Sequence, residues 1–320
     1  MRKRPALEND PRPRAEAHRR RSAGRRIAAV LAALPAAVLL LAPAGGRAQQ
    51  IPNSVADDSL RVCADPANMP FSDRKEAGFE NRIAEIVADE LKVPVRYYWM
   101  PQGPGFVRNS LSMRLCDVVI GYAAGADPVL HTNPYYTSVY VLVVKSDGPL
   151  APVDSLADPR LKGRKLGVVA ATPPADHLLA AGLLADAKTY SLLVDRRFES
   201  PGEAMIADLK GGVIDGALLW GPTGGYFAKQ AGPGLKAIPL VKDTERPDLS
   251  YRITAGVRPT DHDWKQTLNL ILRKRQADID KVLLEYGVPL LDDENQVITA
   301  VAPPQPGPAQ PGQPRPGRTP

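Results

Sequence analysis

A two-lobed α/β fold, with mostly parallel sheets joined by a hinge, follows from three features of this chain. Short apolar runs alternate with amphipathic stretches of helical length. Each run empties into a loop bearing polar or aromatic residues, and the alternation occurs once between residues 60 and 139 and again between 140 and 244. Alternating strands and helices build a largely parallel sheet. In an open sheet of that kind the loops gather at the carboxyl ends of the strands, where ligands bind. The pattern describes a binding cleft rather than a catalytic constellation.

The first residues set the compartment. Residues 19–26 are heavily basic, 27–41 are apolar and rich in Ala and Leu, and small residues follow through Ala48, the order of a secretory signal peptide (1–48). The apolar stretch is interrupted by Pro35 and falls short of the roughly 20 residues of a membrane span. Gly46 and Ala48 are the small residues before a cleavage point after Ala48, which places the mature protein in the periplasm. Eleven of the 41 Lys and Arg and three of the 35 Asp and Glu lie in residues 1–48, so removal leaves 30 and 32, a net charge of −2 instead of +6. The remainder has no basic stripe interleaved with aromatics, which argues against a nucleic-acid partner.

Residues 49–59 are polar and read as a flexible lead-in to lobe 1, which spans 60–139 and takes in about 245–300 as well. A strand is expected over 60–65, and a helix over 78–91, where Phe79, Ile83, Ile86, Val87 and Leu91 recur at helical spacing. Strands follow over 93–99 and 116–122, with a short helix at 106–113 between them. Lobe 2 with its crossovers takes 140–244: strand 140–145, a Pro-containing connection, strand 165–170, helix 175–185, a strand near 190–194, helix 201–210 and strand 215–220. The start of helix 201–210 is marked by Ser200 as N-cap, Pro201 at the first helical position and Glu203 completing a capping box; Gly211 and Gly212 end it. Residues 221–231 read as the beginning of the return across the hinge, followed by strands at 235–241 and 251–257. One long helix is expected from 261 to 286, with Trp264, Leu268, Ile271, Leu272, Ile279, Val282 and Leu283 on one face. The Pro-, Gly- and Gln-rich tail (303–320) has nothing apolar to bury and reads as disordered.

Cys63 and Cys116 both fall in lobe 1. An even pair in an exported chain allows one disulfide, and two buried thiols filling the core fit equally. Cys63 lies late in one strand and Cys116 at the start of another, which leaves both readings open.

Several segments together resemble a known family. They are Leu60-Arg-Val-Cys-Ala-Asp-Pro66 with Pro70-Phe71, Gly78-Phe-Glu-Asn81, Gly105-Phe-Val-Arg-Asn109, Cys116-Asp-Val-Val119, Pro134-Tyr-Tyr136, and Trp220-Gly-Pro222 with Gly225-Tyr-Phe-Ala228. The set is similar to the MoxJ/XoxJ-type, quinoprotein-dehydrogenase-associated group of type II periplasmic binding proteins. The resemblance implies an accessory protein that aids maturation or activation of a periplasmic methanol dehydrogenase of the XoxF/MxaF type. That dehydrogenase uses pyrroloquinoline quinone; its cytochrome c is a second candidate partner. The accessory protein itself needs no cofactor. Amino-acid receptors of the same superfamily carry an arginine before the Pro-Tyr segment and an acid after the second-lobe strand. In an ungapped reading those places fall near Gly125 and Trp220, so neither charged anchor is present, and glycine cannot replace a guanidinium fork.

The remaining candidates carry two readings each. Asp65 with Asn68 either meets ligand or makes an Asp-Pro-x-Asn turn. Phe71, Trp99, Phe106, Tyr135, Tyr136, Trp220 and Tyr226 either line the cleft and a partner-contact surface or serve the core. Arg108 either meets an anion or stays solvated. Thr172 sits before a helix N-terminus, a usual anion site, but Pro173 and Pro174 remove donors there. His18, His131, His177 and His262 have no metal-ligand spacing, and no calcium loop, phosphate loop or nucleophile elbow is present, so no metal and no catalytic residue is expected. Three classes follow: the dehydrogenase accessory favoured by the motifs, a transporter's solute receptor, and an enzyme using Asp65 or Glu80 as acid or base. The last lacks a paired nucleophile and base.

Overall fold

The structure, a computed structural model, describes residue 56, residues 58–244 and residues 247–301. The expected signal peptide and the 303–320 tail lie outside the described residues, as does most of the 49–59 segment. In chain order the first elements are β1 (Leu60–Ala64), β2 (Ala67–Asn68), β3 (Ser72–Asp73), α1 (Phe79–Leu91), β4 (Val95–Trp99), α2 (Phe106–Asn109), β5 (Val119–Ala123), β6 (Leu130–His131) and β7 (Tyr136–Val139). Then come β8 (Val141–Lys145), β9 (Leu166–Val169), α3 (Pro173–Ala180), β10 (Lys188–Tyr190), α4 (Pro201–Lys210), β11 (Gly216–Leu219), α5 (Gly221–Gln230) and β12 (Leu235–Pro239). The chain closes with β13 (Ser250–Val257), α6 (His262–Lys274), α7 (Gln276–Glu285), β14 (Leu290–Leu291) and β15 (Val297–Ile298).

Two sheet systems result. In one, β1 pairs in parallel with β4, with a further parallel bridge from Val62 to Val118, and a sheet ordered β15-β14-β7-β13-β5 lies with them around a core containing Phe79, Ile83, Val87, Ile253, Leu268, Ile279 and Leu283. In the other, the order is β10-β9-β11-β8-β12, with α3, α4 and α5 packed about it. Tyr140 alone separates β7 of the first sheet from β8 of the second, so the chain crosses between them within one residue. The α/β class is as the sequence predicts, but the sense of pairing is more mixed than expected. Parallel ladders join β1 to β4 and β9 to β10 and β11, whereas β8, β12 and the whole β7–β13–β5 array pair antiparallel. The reason is the hinge. Strands that carry the chain directly between sheets enter each one against the direction of their neighbours, a pattern apolar runs alone do not reveal.

Local chemistry fixes the helix that faces the cleft. Gly78 precedes α1 because a Cβ there would lie 2.0 Å from the Phe71 carbonyl oxygen. Asn81 then accepts the Gly78 and Asp73 N–H groups at 3.1 and 3.2 Å, satisfying donors the helix itself leaves open. Lys92, at φ 59°, ends the helix in the left-handed conformation. At α4 the Ser200 hydroxyl accepts the Glu203 N–H, the expected cap.

Four expectations are corrected. The stretch 221–231 is not a return segment: it forms α5 (Gly221–Gln230) with Ala231 as its C-cap. Its glycines are there for close approach, since Cβ atoms at Gly221 and Gly225 would meet the Val139 and Gly287 carbonyl oxygens at 2.2 and 1.9 Å. The single helix expected over 261–286 is broken at Arg275, whose guanidinium engages Asp278 of the next turn and Asp89 of α1. Helix α3 begins earlier than expected, with Pro173 and Pro174 in the first turn, where no N–H is needed. Strand β10 ends at Tyr190, so residues 191–200 form a loop. Cys63 and Cys116 are joined by a disulfide with Cα atoms 5.4 Å apart, packed among Phe106, Val107 and Leu111.

Candidate functional site

Between the two sheet systems lies a cleft of about 760 Å³. Loops and strand ends of both contribute. Asn68 and Phe71 come from the β2–β3 hairpin, Glu80 from α1, Gly121 from β5, and Tyr136 from β7; opposite them stand Thr172, Trp220 and the 191–200 loop. Tyr140, Trp220 and Tyr251 form an aromatic cluster at the crossover, with centroids 5.2, 5.7 and 6.4 Å apart and edge-to-face geometry. Burial pushes the Tyr140 hydroxyl up, helped by Tyr251. The neutral phenol is thereby held well above physiological pH.

Glu80 is the unusual group. It stands in the first turn of α1, 7% exposed, with its carboxylate lining the cleft. No described residue donates a hydrogen bond or forms an ion pair to that carboxylate. Gly121 leaves the room it occupies, since a Cβ there would lie 1.9 Å from Glu80 Oε1. Burial, reinforced by the nearby Asp65 carboxylate, pushes the Glu80 pKa up to about 8.

The cleft's two guanidiniums are already engaged. Arg196, from the 191–200 loop, reaches across to lobe 1 and donates to the Gln102 carbonyl at 2.9 Å and to Asp65 Oδ2 at 3.3 Å. Arg197 makes a bidentate pair with Asp195. Asp65 therefore has a turn role and an inter-lobe one: Oδ1 accepts the Ala67 N–H at 2.9 Å, and Oδ2 accepts the Gln102 N–H at 2.7 Å besides Arg196.

Of the candidates read from the sequence, the structure brings Asn68, Phe71, Tyr136, Thr172 and Trp220 into the cleft wall. Thr172 spends its hydroxyl on the Val169 carbonyl at 2.6 Å, and its side chain caps no helix N–H. The others stand outside the wall. Phe106 is core beside the disulfide, and Tyr135 is buried with its hydroxyl on the Ile120 carbonyl. Trp99 stacks on Tyr97 under Arg74, and Tyr226 stacks on Tyr286. Arg108 is solvent-exposed at the end of α2. Asp65 is buried behind the wall. His131 and His177 are held by Ala126, Thr254 and Pro247, and among the described residues no cluster of His, Cys, Asp or Glu could hold a metal ion.

Sequence reasoning missed Arg196, Arg197, Tyr140 and Tyr251 as cleft residues. The signal available was Asp195-Arg-Arg-Phe198 in the stretch before α4, an odd concentration of charge and an aromatic for a loop.

No family model matches the chain. The protein MoxJ of Methylorubrum extorquens (strain AM1) is 31% identical over 300 residues, which cover 87% of this chain and 98% of that protein. The crystal structure of the periplasmic binding protein XoxJ from Methylobacterium extorquens AM1 is 48% identical and superposes with a TM-score of 0.63 over 73% of this chain and 100% of that one. The structure of MxaJ from Methlophaga aminisulfidivorans MPT is 25% identical, with a TM-score of 0.64 over 72% of this chain and 100% of that one. Among the described residues no helix is long and apolar enough to cross a membrane.

Proposed function

The chain belongs to the MoxJ family of periplasmic binding proteins with the type II binding fold, and from that membership we propose that it is the periplasmic accessory protein of a pyrroloquinoline-quinone methanol dehydrogenase, aiding maturation or activation. It is exported by the 1–48 segment and cleaved near Ala48. The dehydrogenase is the partner, with its cytochrome c as a second. Lobe 1 takes residues 60–139 and about 245–300, and lobe 2 takes 140–244.

The observation that carries the reading beyond family is the state of the cleft. An α-amino-acid receptor needs a free guanidinium fork for the ligand carboxylate. Here both cleft guanidiniums are committed to the chain's own Asp65 and Asp195. Aromatic walls remain, of the kind that anchor another protein's segment.

The test is capture of purified methanol dehydrogenase by the exported, processed protein. Truncating a well-packed aromatic anchor costs about 2 kcal/mol, roughly 30-fold in affinity. Trp220→Ala should weaken capture by that order, with circular dichroism unchanged. Calorimetry with glutamine or arginine should show no micromolar binding. Full capture by Trp220→Ala would take the cleft out of the mechanism; no capture by the wild type, together with tight amino-acid binding, would make the chain a transporter's receptor instead.

A further inference from the structure

The cleft contains one buried charge site that the accessory role does not use. Glu80 is 7% exposed, lines the cleft and receives no hydrogen bond from any described residue. A buried carboxylate is ordinarily paired or neutralised, because its charged form loses solvation without compensation. Gly121 leaves the room that Glu80 Oε1 itself occupies, and the cleft it borders has an aromatic wall: Phe71, Tyr136, Tyr140, Trp220 and Tyr251. Faces of such rings attract cations.

The balance of the remaining charges points the same way. The charged residues lining the cleft are Asp73, Glu80, Glu199, Glu203, Arg196 and Arg197, and the two arginines are already paired with Asp65 and Asp195. No lysine lines it. We infer that Glu80, with the aromatic wall beside it, is a binding site for an alkylammonium group: a protonated primary amine on a short apolar chain, either a free amine or the lysine side chain of a bound polypeptide. The carboxylate takes the ammonium, and the aromatics take the methylenes. A ligand α-carboxylate would have to compete with Asp65 and Asp195 for the two arginines, so the site favours amines over amino acids. The inference rests on the cleft's own residues and stands apart from the dehydrogenase partnership.

Binding must move a proton. Around Glu80, Asp65 after β1 and Asp73 on β3 are the acids, and the phenols are Tyr97 on β4, Tyr135 just before β7 and Tyr136 at its start; β5 places Gly121 against the carboxylate and Tyr122 in the same cleft wall. The cations Lys274, at the end of α6, and Arg275, at the break before α7, are engaged with Glu90 and Asp89 farther along α1. With its pKa near 8, Glu80 is mostly protonated at pH 7, so an arriving cation expels its proton. Affinity should therefore rise about 50-fold from pH 6 to pH 8 and level off above, with close to one proton released per ligand at pH 7.

The experiment is calorimetric titration of the mature protein with n-pentylammonium, in two buffers of different ionisation enthalpy, at pH 6, 7 and 8. Norleucine, the same chain with a carboxylate, is the control, and a capped Ala-Lys-Ala peptide distinguishes a polypeptide source from a free amine. Expected are pentylammonium binding with the stated pH rise and proton release, norleucine weaker by tenfold or more, and at least tenfold loss in Glu80→Gln. Tighter binding of the capped peptide than of pentylammonium would assign the site to a lysine side chain, and the reverse to a free amine. Absence of binding by both amines at pH 8, or binding without proton release, overturns the inference, and the wild-type proton count decides even if the variant fails to fold. Dehydrogenase capture is measured separately, so either result can fail alone.

Discussion

Replacing Glu80 by glutamine tests the energetic reading of the cleft before any ligand is known. In the folded chain burial and the Asp65 carboxylate raise the Glu80 pKa from its ordinary 4.5 to about 8. The sign follows from proton counting. Below pH 4.5 the group is protonated in both states and contributes nothing. Between 4.5 and about 8 the folded protein keeps a proton the unfolded chain has released, so stability falls as pH rises. Above 8 the penalty is complete. At 1.36 kcal/mol per pH unit the interval gives about 3 kcal/mol by pH 7 and about 5 kcal/mol above pH 8, an upper bound because the cleft admits water to one side of the carboxylate. Glutamine keeps the shape and removes the titration. Its amide adds a pH-independent offset of about 1 kcal/mol if it lacks partners, so the slope is diagnostic and not the offset. Urea unfolding of wild type and Glu80→Gln from pH 4 to 9, followed by tryptophan fluorescence, should show the variant gaining relative stability steadily from pH 5 to 8. A difference that stays flat across that range would refute the reasoning.

Two further outcomes are expected. The Cys63–Cys116 disulfide is closed over a sequence separation of 53, for which the chain-entropy model gives about 4 kcal/mol; the Cys63→Ala/Cys116→Ala protein should lose 2 to 4 kcal/mol in denaturant titration, and a loss under about 1 kcal/mol would show the bridge to be dispensable. Arg196→Ala removes the contacts from lobe 2 to Asp65 and to the Gln102 carbonyl, together about 1 kcal/mol for a part-exposed pair, so the population with separated lobes should rise about fivefold. Spin labels at the exposed positions Arg114 and Lys210 would report this, and an unchanged distance distribution would show that Arg196 does not hold the lobes.

How much of this was legible depended on whether the controlling interactions were local. Helix α4 was, because Ser200, Pro201 and Glu203 specify its start within four residues. The β1–α1–β4 unit was, because Phe79, Ile83 and Val87 recur at helical spacing between two apolar runs. Helix α5 was hidden because Gly221, Gly224 and Gly225 weigh against a helix by propensity, whereas the fold uses them for contact with Val139, Val141 and Gly287. The break at Arg275 was hidden for a different reason. Leu272 and Ile279 are seven residues apart, so the apolar register runs through the interruption without a fault, and the cause is the distant Asp89.

The cleft divides in the same way. Trp220, Phe71 and Tyr136 were found from motifs in which an aromatic closes an apolar strand or turn. Tyr140, Trp220 and Tyr251 meet only because two crossovers run side by side, which no short window contains. Arg196 was lost between the strand expected near 190–194 and the helix at 201–210, and its partner Asp65 lies 131 residues away. Glu80, however, left a trace. Positions 80, 83, 84 and 87 share one helix face, and three of them are buried apolar residues, so a carboxylate stands on a stripe that packing alone would fill with an aliphatic side chain. Such a departure from local rules is expected where function outweighs stability. A cation entering the cleft would relieve the same carboxylate that destabilises the empty fold, so part of the folding penalty at high pH becomes affinity for the ligand.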